Sequence, residues 1–293
     1  MLLKNLIRLC YAGFTTQQLY RLFKKPLDVL TNDITQTLHQ RITYENHPLF
    51  HTKLQKFNAL NASQILCQLR QAHITPITIL NDQYPRLLKE IYQPPLILFC
   101  KGNLSLLNAA SYKLAIVGAR DCTQYGDEAV RYLLQKMKRA SIIVVSGLAK
   151  GTDALAHYNA LKNEMPTIGV LGFGHQYHYP SETKPLRHTL ETNQLGLTIS
   201  EYPPMTPPAK FRFPERNRII SGISHGVLVT EAKERSGALI TLDQALEQNR
   251  NVYVLPGDMF NKHTKGNMMR VKEGAEILLS AEDILKDMNT SIR

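Results

Sequence analysis

From Tyr112 onward, short apolar runs return at regular intervals, and most are followed by a stretch of helical spacing. The runs are KLAIVG (113–118), SIIVVS (141–146), TIGVLG (167–172), GLTIS (196–200), GVLVT (226–230) and NVYVLP (251–256). A strand that is apolar throughout, rather than at alternate positions, must be covered on both faces. Helical spacing over 126–139, 152–163, 183–193, 215–223 and 238–248 supplies the cover. This alternation predicts an α/β fold with a doubly wound, mostly parallel sheet. ITPITIL (74–80) and PLILFC (95–100) read as two earlier strands around a short helix at 84–92.

Residues 1–70 have a different texture. Leu19, Leu22 and Phe23 keep helical spacing until Pro26, and Phe57, Leu60, Ile65, Leu66 and Leu69 repeat it. The expected organisation is a small all-helical domain over 1–70 followed by the α/β domain over 71–288. A length of 293 residues suits about two domains. No apolar run approaches the ~20 residues of a membrane span. The amphipathic N-terminus carries Lys4 and Arg8 and reads as a helix rather than a signal peptide, so no membrane insertion is expected. Cys10, Cys67, Cys100 and Cys122 are too scattered for a zinc site or a disulfide framework; they suit buried thiols in a reducing cytoplasm. With 35 Lys+Arg against 24 Asp+Glu, the formal charge of +11 favours a polyanionic partner. Residues 1–70 hold +6 of that charge.

In a doubly wound sheet, ligands bind outside the carboxyl ends of the strands. Four loops there stand out. VGARDCTQYG (117–126) places Gly118 at a sharp turn and Arg120 where an oxyanion on the next helix would meet it; the GxGxxG of dinucleotide sites is absent. VSGLAKGTDALAH (145–157) has the layout of an anion cradle, with the Ser146 hydroxyl, the backbone of Gly147 and Gly151, and the charge of Lys150. Asp153 is expected as the helix N-cap, and His157 as a packed structural histidine or a site residue. KFRFPERNRIISGIS (210–224) interleaves Lys210, Arg212, Arg216 and Arg218 with Phe211 and Phe213. Cations that meet phosphates beside rings that stack on bases suit single-stranded nucleic acid; the alternative is a solvated turn with both rings in the core. Pro214 is expected to start the helix, with Arg216, Asn217 and Arg218 in its first turn. TEAKERSGALIT (230–241) offers an anion-binding turn at Ser236 and Gly237, and Glu231 as a base or an arginine partner. Further on, Met268, Met269 and Val271 form an apolar cluster, either a candidate subunit surface or core.

Taken in order, AIVGAR, VSGLAKGTDALAH, TIGVLGFG, ISEYPP, FRFPERNRIISGIS, VLVTEAKERSGALIT and VYVLPGD closely resemble the DNA processing protein A (DprA, or Smf) family over about residues 75–286. The resemblance implies an extended Rossmann-like domain preceded by a sterile-alpha-motif-like (SAM-like) helical one. It implies a cytoplasmic, homodimeric, cofactor-free protein that binds single-stranded DNA during natural transformation. Such a protein protects that DNA and loads a RecA-type recombinase onto it, against single-strand-binding protein. By motif, Arg120, Lys210 and Phe213 would be the chief DNA contacts, supported by the loop around Lys150 and the turn Arg216–Arg218. The lysine that some relatives carry after the YP dipeptide is replaced by Ser181, with Lys184 nearby as its substitute. KGNMMR replaces the family's turn before the late helix, and no winged-helix domain is expected after AEDILKDM (281–288). A phosphoribohydrolase of the lysine-decarboxylase-like type would need PGGxGTxxE where this chain reads RSGALITLDQA, and an acid–base pair that is not apparent. A lipid-binding scaffold would need an amphipathic helix with a continuous cationic face.

Overall fold

The computed structural model describes residues 1–23, 30–45 and 47–291. Among the described residues five helices are placed first: α1 (Leu2–Tyr11), α2 (Thr16–Leu22), α3 (Thr35–Glu45), α4 (Pro48–Ala59) and α5 (Ala62–Gln71). Local chemistry sets their ends. Thr15 and Gln18 form a reciprocal capping box on α2, and Asn61 caps α5. Pro26, expected to close α2, lies outside the described residues together with Lys24 and Lys25.

The α/β region follows as β1 (Thr75–Thr78), α6 (Arg86–Lys89), β2 (Ile97–Gly102), β3 (Tyr112–Val117), α7 (Gln124–Met137), β4 (Ile142–Ser146), α8 (Thr152–Lys162) and β5 (Thr167–Leu171). It continues with α9 (Lys184–Thr192), β6 (Gly196–Ser200), α10 (Arg212–Gly222), β7 (Gly226–Val229), α11 (Gly237–Glu247), β8 (Asn251–Val254), α12 (Lys265–Val271), β9 (Glu276–Ile277) and α13 (Ala281–Ser291). All six strands read from the sequence are present, and they pair in parallel as β6-β5-β4-β3-β7-β8. β1 and β2 add antiparallel at one edge. β9, a two-residue strand that the sequence did not reveal, pairs in parallel at the other.

Alternation along β3 shows how the sheet is covered. Leu114 and Ile116 enter the core formed with α7, α8 and α13, whereas Ala115 and Val117 enter the core on the opposite face. That second core is continuous with Leu6, Ile7 and Leu9 of α1, and Tyr11 meets Phe99 of β2 edge to face at 6.4 Å. The helical region therefore rests on the sheet through shared apolar packing.

Two boundary expectations need correction. α10 begins at Arg212, before Pro214, so Arg216–Arg218 lie in its second turn rather than its first. α8 starts from Gly151, and Asp153 sits inside the helix instead of capping it.

Candidate nucleic-acid interface

The chain runs from β3 outward through β4, β5 and β6 on one side, then returns to β7 and β8 on the other. The loops after β3 and β7 thus part at the sheet's switch point, where a crevice must open. A cleft of about 500 Å³ lies there, bounded by Gly118, Arg120, Asp153, Tyr179, Lys210, Phe213, Arg216 and Ser236–Gly237 among others.

Close backbone approach builds its base. A Cβ on Gly118 would stand 2.3 Å from Thr230 Oγ1 and 2.5 Å from Thr152 Oγ1, and these two hydroxyls bond each other at 3.0 Å. Gly151 has φ +72°, and a Cβ there would stand 2.3 Å from the carbonyl oxygens of Ala119 and Arg120. Only glycine meets both conditions. Both glycines therefore clamp the loops after β3, β4 and β7 together.

The anion cradle expected at 146–151 is occupied by the protein's own groups. Ser146 is fully buried and donates to the Ile116 carbonyl at 2.6 Å. The N–H groups of Gly147 and Ala149 donate to Asp153 Oδ2 at 3.1 and 3.3 Å. Arg216, only 5 % exposed, donates to the carbonyls of Gly147 (2.7 Å) and Val170. Burial pushes the Asp153 carboxyl up against the pull of Arg216, and pushes Arg216 down. Arg216 is accordingly the floor of the cleft, held from beneath by the Ser146–Gly147 loop, and none of the three is a ligand donor. A buried arginine beside a buried aspartate holds the loops after β4 and β5 to α10.

The rim is different. Arg120 and Lys210 are exposed, and no carboxylate among the described residues pairs with either. Phe213 is half-buried between Phe173, edge to face at 6.4 Å, and Tyr179, tilted at 5.6 Å. Tyr179, the tyrosine of the YP dipeptide, is 46 % exposed; its place beside Phe213 arises only when the loop after β5 folds over α10. Lys150 is exposed but pairs with Glu182, whose carboxyl it holds below its ordinary value. Lys184 is exposed at the start of α9, outside the cleft lining. Asn217 donates to the Gly237 carbonyl at 3.4 Å, and Ser236 caps α11 by accepting from Ala238 N–H. Gly237 has open space around it.

Several expected roles do not survive folding. Arg218 points away from this cleft and forks onto Glu201 at 2.7 and 2.6 Å, while Thr16 of α2 donates to the same carboxylate. Arg218 is thus tied to the helical region through Glu201. Glu231 is buried, and both its oxygens accept from Thr123, so it is neither a general base nor an arginine partner. His157 is a packed structural histidine: its Nδ1 lies 2.6 Å from Thr167 Oγ1, and burial pushes its pKa down to about 3. Met268 and Val271 pack against the core, leaving only Met269 outward. Of the cysteines, Cys100 is buried but Cys67 is exposed. Among the described residues no group of three or more His, Cys, Asp or Glu side chains is placed to hold a metal. Nor is any described helix long and apolar enough to cross a membrane.

Comparison with known proteins agrees with this architecture. The family model for DNA recombination-mediator protein A matches residues 75–289. The chain is 42 % identical over 225 residues to DNA processing protein DprA of Bacillus subtilis, covering 77 % of this chain and 75 % of that protein. It is 41 % identical over 227 residues to DprA of Streptococcus pneumoniae, covering 75 % and 79 %. The X-ray structure of the S. pneumoniae protein superposes with a TM-score of 0.85 at 34 % identity, over 97 % of both chains. A structure of Helicobacter pylori DprA, determined for insight into its single-stranded DNA binding mode, superposes with a TM-score of 0.66 at 25 % identity, over 75 % of this chain and 98 % of that one. The matched segment holds the whole parallel sheet and every loop of the cleft, and the chain belongs to the DNA recombination-mediator protein A family.

Proposed function

We propose that the switch-point cleft binds single-stranded DNA. The observation that carries this reading is the rim itself: two cations without carboxylate partners, Arg120 and Lys210, line the same cleft as the Phe213–Tyr179 ring pair. Unpaired cations meet phosphates, and rings accept unstacked bases regardless of sequence. The H. pylori relative, studied for its single-stranded DNA binding mode, supports the assignment. Lys150, Lys184, Asn217 and the Ser236–Gly237 turn serve as secondary contacts at the margins.

In this reading the protein is a cytoplasmic recombination mediator of natural transformation and a binding protein, not an enzyme, and it works without a cofactor. It protects incoming strands and hands them to a RecA-type recombinase in the presence of single-strand-binding protein. Residues 1–70 form a SAM-like domain docked on the DNA-binding domain at 71–288. The protein pairs as a homodimer. The sheet edge at β9, where Ile277 and Leu279 are exposed, and Met269 offer apolar surface for a second copy.

Fluorescence anisotropy with single-stranded oligothymidine and the matching duplex, at two salt concentrations, tests the core claim. Arg120→Ala and Lys210→Ala should each weaken single-strand binding and reduce the magnitude of the salt slope by about 1. Equal, weak binding of both DNA forms by the parent would refute the reading.

A further inference from the structure

Helix α10 has a second cleft on its other side, about 350 Å³, between the loop after β6 and helices α1 and α2. That size falls in the range of roughly 300–1,000 Å³ typical of small-ligand sites. Tyr11 and Phe14 form one wall, and Tyr202, Met205 and Phe211 line the other. Phe211 is 61 % exposed and Met205 67 % exposed. Phe211 therefore did not go into the core, as one reading of the sequence allowed. The Arg212 guanidinium lies 5.2 Å from the Phe211 ring and 5.4 Å from the Tyr202 ring.

The charges here are matched, unlike those of the first cleft. Arg218 neutralises Glu201, and Tyr202 donates its hydroxyl to Glu215 at 2.8 Å. Two arginines and two glutamates leave the lining without net charge. Such a lining gives little attraction to a phosphate but suits a flat, uncharged ring laid on an aromatic or guanidinium face. The two clefts are joined by one run of chain, Lys210-Phe211-Arg212-Phe213, in which exposed Lys210 and Phe213 line the first while Phe211 and Arg212 line the second.

We infer that the second cleft is a further base-stacking station for single-stranded DNA. A strand crossing at Lys210 places one nucleobase against Phe213 and Tyr179 and another against Phe211 and Arg212. The inference rests on the first cleft being the single-strand site, and it adds the helical region as one wall of the DNA path.

Oligothymidines of graded length, titrated against parent, Phe213→Ala, Phe211→Ala, Phe211→Leu and Phe211→Tyr proteins, separate the two stations. Phe213→Ala should weaken binding at every length. Phe211→Ala should leave the shortest strands unaffected and weaken longer ones by roughly 5- to 150-fold, the worth of one base–aromatic stack, without changing the salt slope. Phe211→Tyr should retain the parent's affinity and Phe211→Leu should not, because a ring is required rather than apolar bulk. If Phe213→Ala weakens binding while Phe211→Ala matches the parent at all lengths, the second station is wrong. Parental behaviour of Phe211→Leu would likewise refute stacking. A parent that does not prefer single strands would overturn both this inference and the proposed function.

Discussion

The floor and the rim of the switch-point cleft are built from the same residue types, yet they do opposite things. Arg216 on the floor is buried, bonded to two carbonyls and set beside Asp153. Arg120 and Lys210 on the rim are exposed and have no carboxylate partner. A cation whose donors are already engaged by its own chain holds the fold; one whose donors face water is available to a polyanion. The tripeptide Arg216–Asn217–Arg218 makes the point within a single helical turn. Arg216 points into the sheet, Asn217 toward α11, and Arg218 toward the helical region.

The largest separation between floor and rim should appear in stability. Arg216→Ala removes the partner of a buried carboxylate and should cost about 3–5 kcal/mol in urea denaturation. Arg120→Ala and Lys210→Ala should stay within about 0.5 kcal/mol of the parent. A folded, fully stable Arg216→Ala protein would dissolve the distinction.

Acid should find the same division. Burial, then Arg216, pushes His157 down to about 3, and burial, then Arg187, does the same to His175. Below pH 6.5 the unfolded chain takes up protons at both positions while the folded protein does not. Stability should therefore fall as pH drops from about 6.5 toward 3, by up to ~1.4 kcal/mol per pH unit for each histidine. Among the described residues, no histidine lines the first cleft. Denaturation midpoints followed from pH 7 to 5 should decline, and less steeply in His157→Gln; a flat profile would contradict the buried-neutral assignment.

Phe213→Ala should lose about 1–3 kcal/mol of single-strand binding with an unaltered salt slope. A changed slope would mean that the ring positions a cation instead of stacking on a base. The smallest effect belongs to Lys150→Ala. Its ammonium is already paired with exposed Glu182, so anisotropy should show a weaker loss than for Arg120→Ala, and the melting temperature should hold. A loss equal to that of Arg120→Ala would show that pairing within the free protein does not predict availability to DNA.

Much of the fold was legible because it depends on local pattern. Continuous apolar runs and helical spacing are short-range signals, and the six parallel strands from β3 to β8 carried them. β9 did not, since its two residues are a strand only through pairing with β8. Asp153 has the chemistry of a cap, but burial turned it inward to hold the Gly147 loop. Tyr179 stood in the YP dipeptide without an assigned role, because its contact with Phe213 joins two segments distant in sequence.

The order of loops at one end of a parallel sheet, and the presence there of cations, rings and glycines, followed from the sequence alone, because strand alternation dictates where loops must lie. The division of those cations between floor and rim was decided only in three dimensions. Whether an arginine meets a carbonyl, a carboxylate or water depends on which elements pack beside it. That packing is a long-range property of the sheet, α10 and the helical region together, and no residue's neighbours in sequence encode it.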